Sequence, residues 1–300
     1  MKTILISFFL FLISIPFVRN VNACSDSSEC PERCCSIKVI SNSGVNFFPN
    51  NFLYKPNYSN PFEAKIGPHF VINESNLQLD IGAAKDLIHY RHNREQHFGF
   101  GAEFFTWTMF QSQSNFKFPV ITVDYFFGIY FSHLKKFKSF DFMNRLRIGH
   151  ISAHLVDGSY DLAKNVWNNN LEPFVYSREF AELSSAIVWN EQKFYLNLNY
   201  LFHVIPNVKS KFSIGFGSEL LLLSLKKFDT NIFCGFDLKL LKRYSEDYES
   251  DKSISAGIHF GKWNSSGLRI SYQYYSGGHF HGELSNMKIN RSSIGAYLIF

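Results

Sequence analysis

Beyond its first two dozen residues the chain has no apolar run long enough to cross a bilayer as a helix, which takes about 20 residues. A helical membrane protein is therefore excluded. It also lacks any basic run: the net charge of +5 includes Lys2 and Arg19 near the amino terminus, and the remaining cations are scattered. Nothing in it reads as nucleic-acid binding. Cysteine is sparse past residue 35, where only Cys234 remains, set in a strand pattern as a small apolar residue. No histidine lies at ligand spacing near Cys24, Cys30, Cys34 and Cys35, which weighs against a zinc site there.

What is abundant is aromatic. The chain has 34 Phe and 15 Tyr and is 18% aromatic, yet its mean hydropathy is only −0.10. Such a chain must interleave apolar and polar residues finely.

Residues 1–23 open with Lys2, continue through the apolar run from Ile4 to Ile13, and finish in Val21-Asn22-Ala23. Pro16, Arg19 and Asn20 cut that run short of a membrane-spanning helix, so it reads as a cleaved secretory signal. Export would place the four early cysteines where thiols oxidise, and disulfides are the expectation. The alternative for Cys24 is lipidation, since Val21-Asn22-Ala23-Cys24 approximates a lipoprotein signal, with Asn22 a poor match. The stretch 24–59 shows no period and reads as a periplasmic, cysteine-containing extension or plug.

From about Asn60 the sequence alternates with period two. Phe228, Thr230, Ile232, Cys234, Phe236, Leu238 and Leu240 oppose Asp229, Asn231, Gly235, Asp237 and Lys239, while Phe194, Leu196, Leu198, Tyr200 and Phe202 oppose Lys193, Asn197 and Asn199. About twelve such segments occur, near 60–71, 75–89, 96–109, 118–133, 139–155, 173–189, 192–204, 210–224, 228–243, 252–263, 265–277 and 289–300. Tight turns at 190–192, 226–227 and 264–266 alternate with long polar loops at 156–172, 243–251 and 278–288. An even number of long alternating strands with that loop pattern predicts an all-β fold over 60–300, a transmembrane antiparallel β-barrel of about 12 strands in a bacterial outer membrane. The last segment puts Ile294, Ala296, Leu298 and the terminal Phe300 on one face, like the signal such barrels present to their insertion machinery. Gly99-Phe100-Gly101 falls within a strand pattern and is no phosphate loop.

Chemistry is suggested near the external end of the fifth segment, at Arg147-Ile148-Gly149-His150-Ile151-Ser152-Ala153-His154. Residues two apart on a strand share a face, so His150 and Ser152 lie side by side with Leu146 and Ile148, facing lipid. A polar pair on that face costs free energy unless its hydrogen bonds are met. If the following loop folds symmetrically, Tyr176-Ser177-Arg178-Glu179 returns opposite the pair with Glu179 on the same face. Serine, histidine and a carboxylate in that order make a hydroxyl nucleophilic.

The His-x-Ser pair resembles that of outer membrane phospholipase A and of the lipid A deacylase, whose serine and histidine lie on the outer barrel surface. That resemblance implies Ser152 as nucleophile, His150 as base and Glu179 as third member, with membrane lipids as partners. It leaves room for calcium as a cofactor and for a homodimer. The sequence departs from the phospholipase after the serine, with Ala153-His154 in place of Asn-Gly. A broader resemblance, carried by Phe48-Pro49, the block from His150 to Leu155, and Tyr176-Ser177-Arg178-Glu179, is to a family of outer-membrane barrels of unknown function.

Two readings stay open. One is an esterase acting on phospholipid or lipid A acyl chains. The other is a non-catalytic structural or pore-forming barrel, in which His150, His154, Arg178 and Glu179 brace the rim or lumen. Arg145, Arg147, Asp124, Glu103, Arg178, Glu182, Asp237 and Lys239 are expected to line the interior, and Trp107, Trp189, Trp263 and Tyr274 to form interfacial girdles.

Overall fold

The computed structural model describes residues 43–300 except 73, 75, 169, 170 and 264. The signal segment 1–23 and the disulfide, zinc and lipidation readings of Cys24, Cys30, Cys34 and Cys35 lie outside the described residues. Within them the chain is all β. Its strands are β1 Gly44–Phe47, β2 Gly67–Val71, β3 Asn76–Arg91, β4 Gln96–Gln111, β5 Val120–Lys136 and β6 Asp141–Leu155. A two-residue pair follows in the next loop, β7 Tyr160–Asp161 with β8 Val166–Trp167. Then come β9 Tyr176–Trp189, β10 Gln192–Ile205, β11 Phe212–Leu225, β12 Thr230–Leu241, β13 Glu249–Phe260, β14 Gly267–Gly278 and β15 Lys288–Ile299.

Successive strands pair antiparallel, and β15 returns to β2 through Ser293↔Val71, Ile294↔Phe70 and Gly295↔His69. The ring so closed has twelve strands, β2 to β6 and β9 to β15. Period-two alternation becomes two surfaces. Phe104, Phe127, Phe194, Leu196, Ile254 and Leu298 stand exposed around the outside, whereas Asp124, Arg145, Arg147, Ser184 and Ser271 are buried inside. An apolar band outside a polar interior, on an antiparallel sheet closed into a ring, is the form in which strands cross lipid. The connections sort by end as expected, short at residues 190–191 and long at 156–175 and 279–287. This is a transmembrane β-barrel of the bacterial outer membrane, with the long loops external and the short turns periplasmic.

The interior is not an open channel. Between β1, which pairs with the periplasmic end of β3, and β2, the chain turns into the lumen and buries Tyr54, Asn57, Tyr58, Glu63 and Lys65. The strand predicted to start near residue 60 therefore begins at Gly67, and 60–66 belong to this interior segment. Gly67 marks its return to the wall, where a Cβ would lie 2.1 Å from the Ala296 carbonyl oxygen. Glu63 is gripped by both terminal nitrogens of Arg145 at 2.5 and 3.1 Å, and Arg147 pairs with Glu182 at 2.7 Å. Leu53 N donates to Asp86 at 3.0 Å, and Tyr58 OH to the Phe300 carbonyl at 3.1 Å. Removing one partner of such an enclosed ion pair costs about 3–5 kcal/mol, because the other charge is left uncompensated.

All eight charges expected inside do face the lumen. The girdle expectation fails at Trp107, which is 2% exposed and faces inward between Phe105 and Phe62, because odd positions of β4 face the lumen and the interior segment gives the indole a partner. Trp263 likewise folds over the periplasmic mouth against Phe233 and Arg269. Trp189 stands exposed at the short-turn end of β9.

Candidate functional site on the lipid-facing wall

The loop 156–175 does return the chain in register. β6 and β9 pair so that His150 lies opposite Glu179 and Ser152 opposite Ser177. Even positions of β6 and odd positions of β9 face outward, so Ser152, His150 and Glu179 share the outer surface near the external end of the wall. His150 Nδ1 meets Glu179 Oε1 at 2.7 Å, with their side chains 39% and 26% exposed. The pair is thus held together yet open to the surroundings. Ser152, two residues along the same face, takes no part in the hydrogen bonds that converge on Glu179. Of the alternative bracing set, Arg178 points into the lumen and His154 stands exposed outside, so the four do not form one network.

Two further side chains complete the cluster, and neither was singled out from sequence. Ser177 Oγ donates to Glu179 Oε1 at 2.8 Å, and His203 Nδ1 binds Glu179 Oε2. Strict alternation along β10 places Phe202 outside and His203 inside. A β-bulge between Leu201 and His203 reverses that parity, leaving Phe202, His203 and Ile205 outward and Val204 buried. The extra residue re-aims one imidazole at the carboxylate, so both Glu179 oxygens are engaged.

A second histidine and carboxylate meet at the external mouth. The β14–β15 loop folds inward as a short turn, Gly282–Leu284, and His281 Nδ1 reaches Asp124 Oδ1 on β5 at 2.6 Å. Gly282 N donates to Asp124 Oδ2 at 2.7 Å, and Glu283 Oε2 accepts from Leu155 N at 2.8 Å. Here both side chains are fully enclosed, and His281 Nε2 has no partner. Burial pushes His281 down to about 3 and His279 well below the usual imidazole range, and pushes the Glu283 carboxyl up. The sequence signal for this latch, His279-Phe280-His281-Gly282-Glu283 in an external loop, is short and carries no period.

Among the described residues no group of three or more His, Cys, Asp or Glu side chains is arranged to hold a metal ion. No protein-family model and no curated protein matches the chain. Among solved structures it is similar to the β-domain of the Bordetella autotransporter BrkA, at 11% identity over 78% of this chain and 95% of that one, with a TM-score of 0.39. It is also similar to the outer-membrane protein OmpT of Vibrio cholerae, at 8% identity over 85% of this chain and 97% of that one, with a TM-score of 0.37.

Proposed function

We propose that this barrel is a lipid esterase whose Ser152, His150 and Glu179 act from the outer wall on the acyl ester of a membrane lipid. The observation that carries the reading is the 2.7 Å bond between His150 and Glu179 on the lipid-facing surface, with a serine two residues along the same face. With the Nδ1 proton directed at Glu179, the opposite nitrogen of His150 is the base. It takes the Ser152 proton as Oγ attacks the ester carbonyl, and returns it to the departing alcohol; water then repeats the cycle on the acyl-enzyme. Glu179 orients the ring and stabilises the imidazolium, and His203 and Ser177 in turn fix the carboxylate. A site on the membrane wall needs no channel, which accords with the filled lumen.

The test is fatty-acid release from phospholipid and from lipid A in mixed micelles, with and without added calcium. Wild type should release fatty acid and Ser152→Ala should not, while both keep the heat-modifiable mobility of a folded barrel. A wild type that releases none, or a Ser152→Ala protein that matches it, would leave the structural barrel as the better account.

A further inference from the structure

At the external end of the lumen a cavity of about 120 Å³ lies between the interior segment and the rim, floored by Asn60 and Phe62 and walled by β9 to β13. Its charges are unevenly matched. Three carboxylates line it, and each is already engaged: Glu182 with Arg147 at 2.7 Å, Asp251 with Arg243, and Asp237 as acceptor from the Tyr195 hydroxyl at 2.8 Å. Four cations of the same wall, Arg178, Lys211, Lys239 and Lys242, form no ion pair among the described residues. Arg178 is held over the Tyr176 ring at 4.1 Å and bonded to the Ser177 and Ile205 carbonyls, so its position is set without any acid. Lys239 approaches the face of Phe62 at 5.7 Å, and Lys242 that of Tyr248 at 4.7 Å. Asn197, 6% exposed, lines the same cavity with a side-chain oxygen that has no partner.

Cations gathered on a concave wall focus a positive potential on the space between them. We propose that this cavity binds a small phosphate-bearing solute, with Lys239 and Arg178 as its principal charge partners and the Asn197 oxygen as acceptor for a hydroxyl on the group that carries the phosphate. A phosphate monoester brings up to two negative charges and three strong acceptor oxygens, which matches several separate ammonium donors better than a single carboxylate does. The cavity is smaller than the several hundred Å³ typical of drug-sized ligands, so it suits a phosphate group and the first atoms attached to it. Its residues face the lumen, across the wall from Ser152 and His150, and the site is independent of the esterase reading.

The experiment is isothermal titration of the full chain folded in a nonionic detergent, with inorganic phosphate, glucose 6-phosphate, glucose, and phosphatidic acid carried in the micelle. Saturable binding of inorganic phosphate and glucose 6-phosphate, weakened by added salt, is expected, and none of glucose. Lys239→Met should weaken it about tenfold or more, the loss of one charge-assisted contact. Lys239→Arg should stay within about threefold of wild type, since a cation is kept. Lys242→Met gives a second reading should Lys239→Met lose its heat-modifiable mobility, and Ser152→Ala should leave binding unchanged. No saturable binding, binding by phosphatidic acid alone, or affinity indifferent to Lys239→Met and Lys242→Met overturns the proposal.

Discussion

Two histidine–carboxylate pairs sit toward the external end of the same wall, at nearly equal length: His150 with Glu179 at 2.7 Å and His281 with Asp124 at 2.6 Å. Bond length does not tell them apart; surroundings do. The first pair is partly exposed on the lipid face with a serine beside it, and two more donors tether the carboxylate. The second is enclosed, its carboxylate also takes a backbone N–H, and its far imidazole nitrogen faces no substrate path. The same interaction can serve chemistry where a reacting group can approach, and can fasten a loop where none can. Perturbed or paired titratable groups are therefore read with their access, not by their geometry alone.

The comparison breaks most sharply at Ser152 and His150. Either Ser152→Ala or His150→Ala should lower lipid hydrolysis by about a thousandfold or more, and the double variant should be little worse, since such groups act as a unit. Asp124→Asn should leave hydrolysis within about twofold while lowering the unfolding temperature, because a buried hydrogen-bonded acid costs about 1–3 kcal/mol to disturb. The reverse result, with hydrolysis lost in Asp124→Asn and kept in Ser152→Ala, exchanges the roles of the two pairs. Next in size is His203→Ala, expected to lower kcat about tenfold with little change in KM, and His203→Gln to recover part of it by keeping a donor to Glu179. If KM rises instead and kcat holds, His203 contacts lipid rather than positioning the carboxylate.

Acid should separate the pairs in stability. His281 is held at about 3 in the folded chain against an ordinary value near 6.5, so the folded state binds fewer protons. Its contribution is full above pH 6.5 and is lost as pH falls toward 3. Glu283, pushed up by burial, works in the opposite sense and favours the closed loop below its ordinary range. Melting midpoints from pH 7 to 4.5 should accordingly fall in wild type and fall less in His281→Gln; equal slopes would detach the latch from this histidine. The smallest effect is expected at Ser177→Ala, where one of three donors to Glu179 is removed and hydrolysis should drop about two- to threefold, read from initial rates.

Much of this was legible in the chain because strand period two maps directly onto in and out. Counting puts His150, Ser152 and Glu179 on one outer face, the face on which the register of β6 with β9 sets them. Counting fails where the ladder gains a residue. His203 lay hidden because the bulge at Leu201 and His203 inverts parity for the last residues of β10, and no turn residue announces it. Trp107 departs from the girdle pattern for a different reason: an inward tryptophan needs a packing partner, and Phe62 comes from the interior segment, which local pattern does not place. Alternation from about Asn60 predicts strand over residues 60–66, yet Glu63 is drawn inside by Arg145 and Arg147, a long-range pairing that no local pattern encodes.

The closing seam bears on how the barrel comes to exist at all. β14 and β15 are zipped through twelve residue pairs, whereas β15 and β2 share three, supplemented by a bridge from Ile66 to Leu298. The interior segment is a loop tethered at both ends to one edge of β3, by β1 below and β2 above. It can swing into or out of the ring only while β15 stands away from that edge. The expected order of assembly follows from that tether: the sheet from β3 to β15 forms first, the segment tucks in, and the short strand β2 closes the seam last.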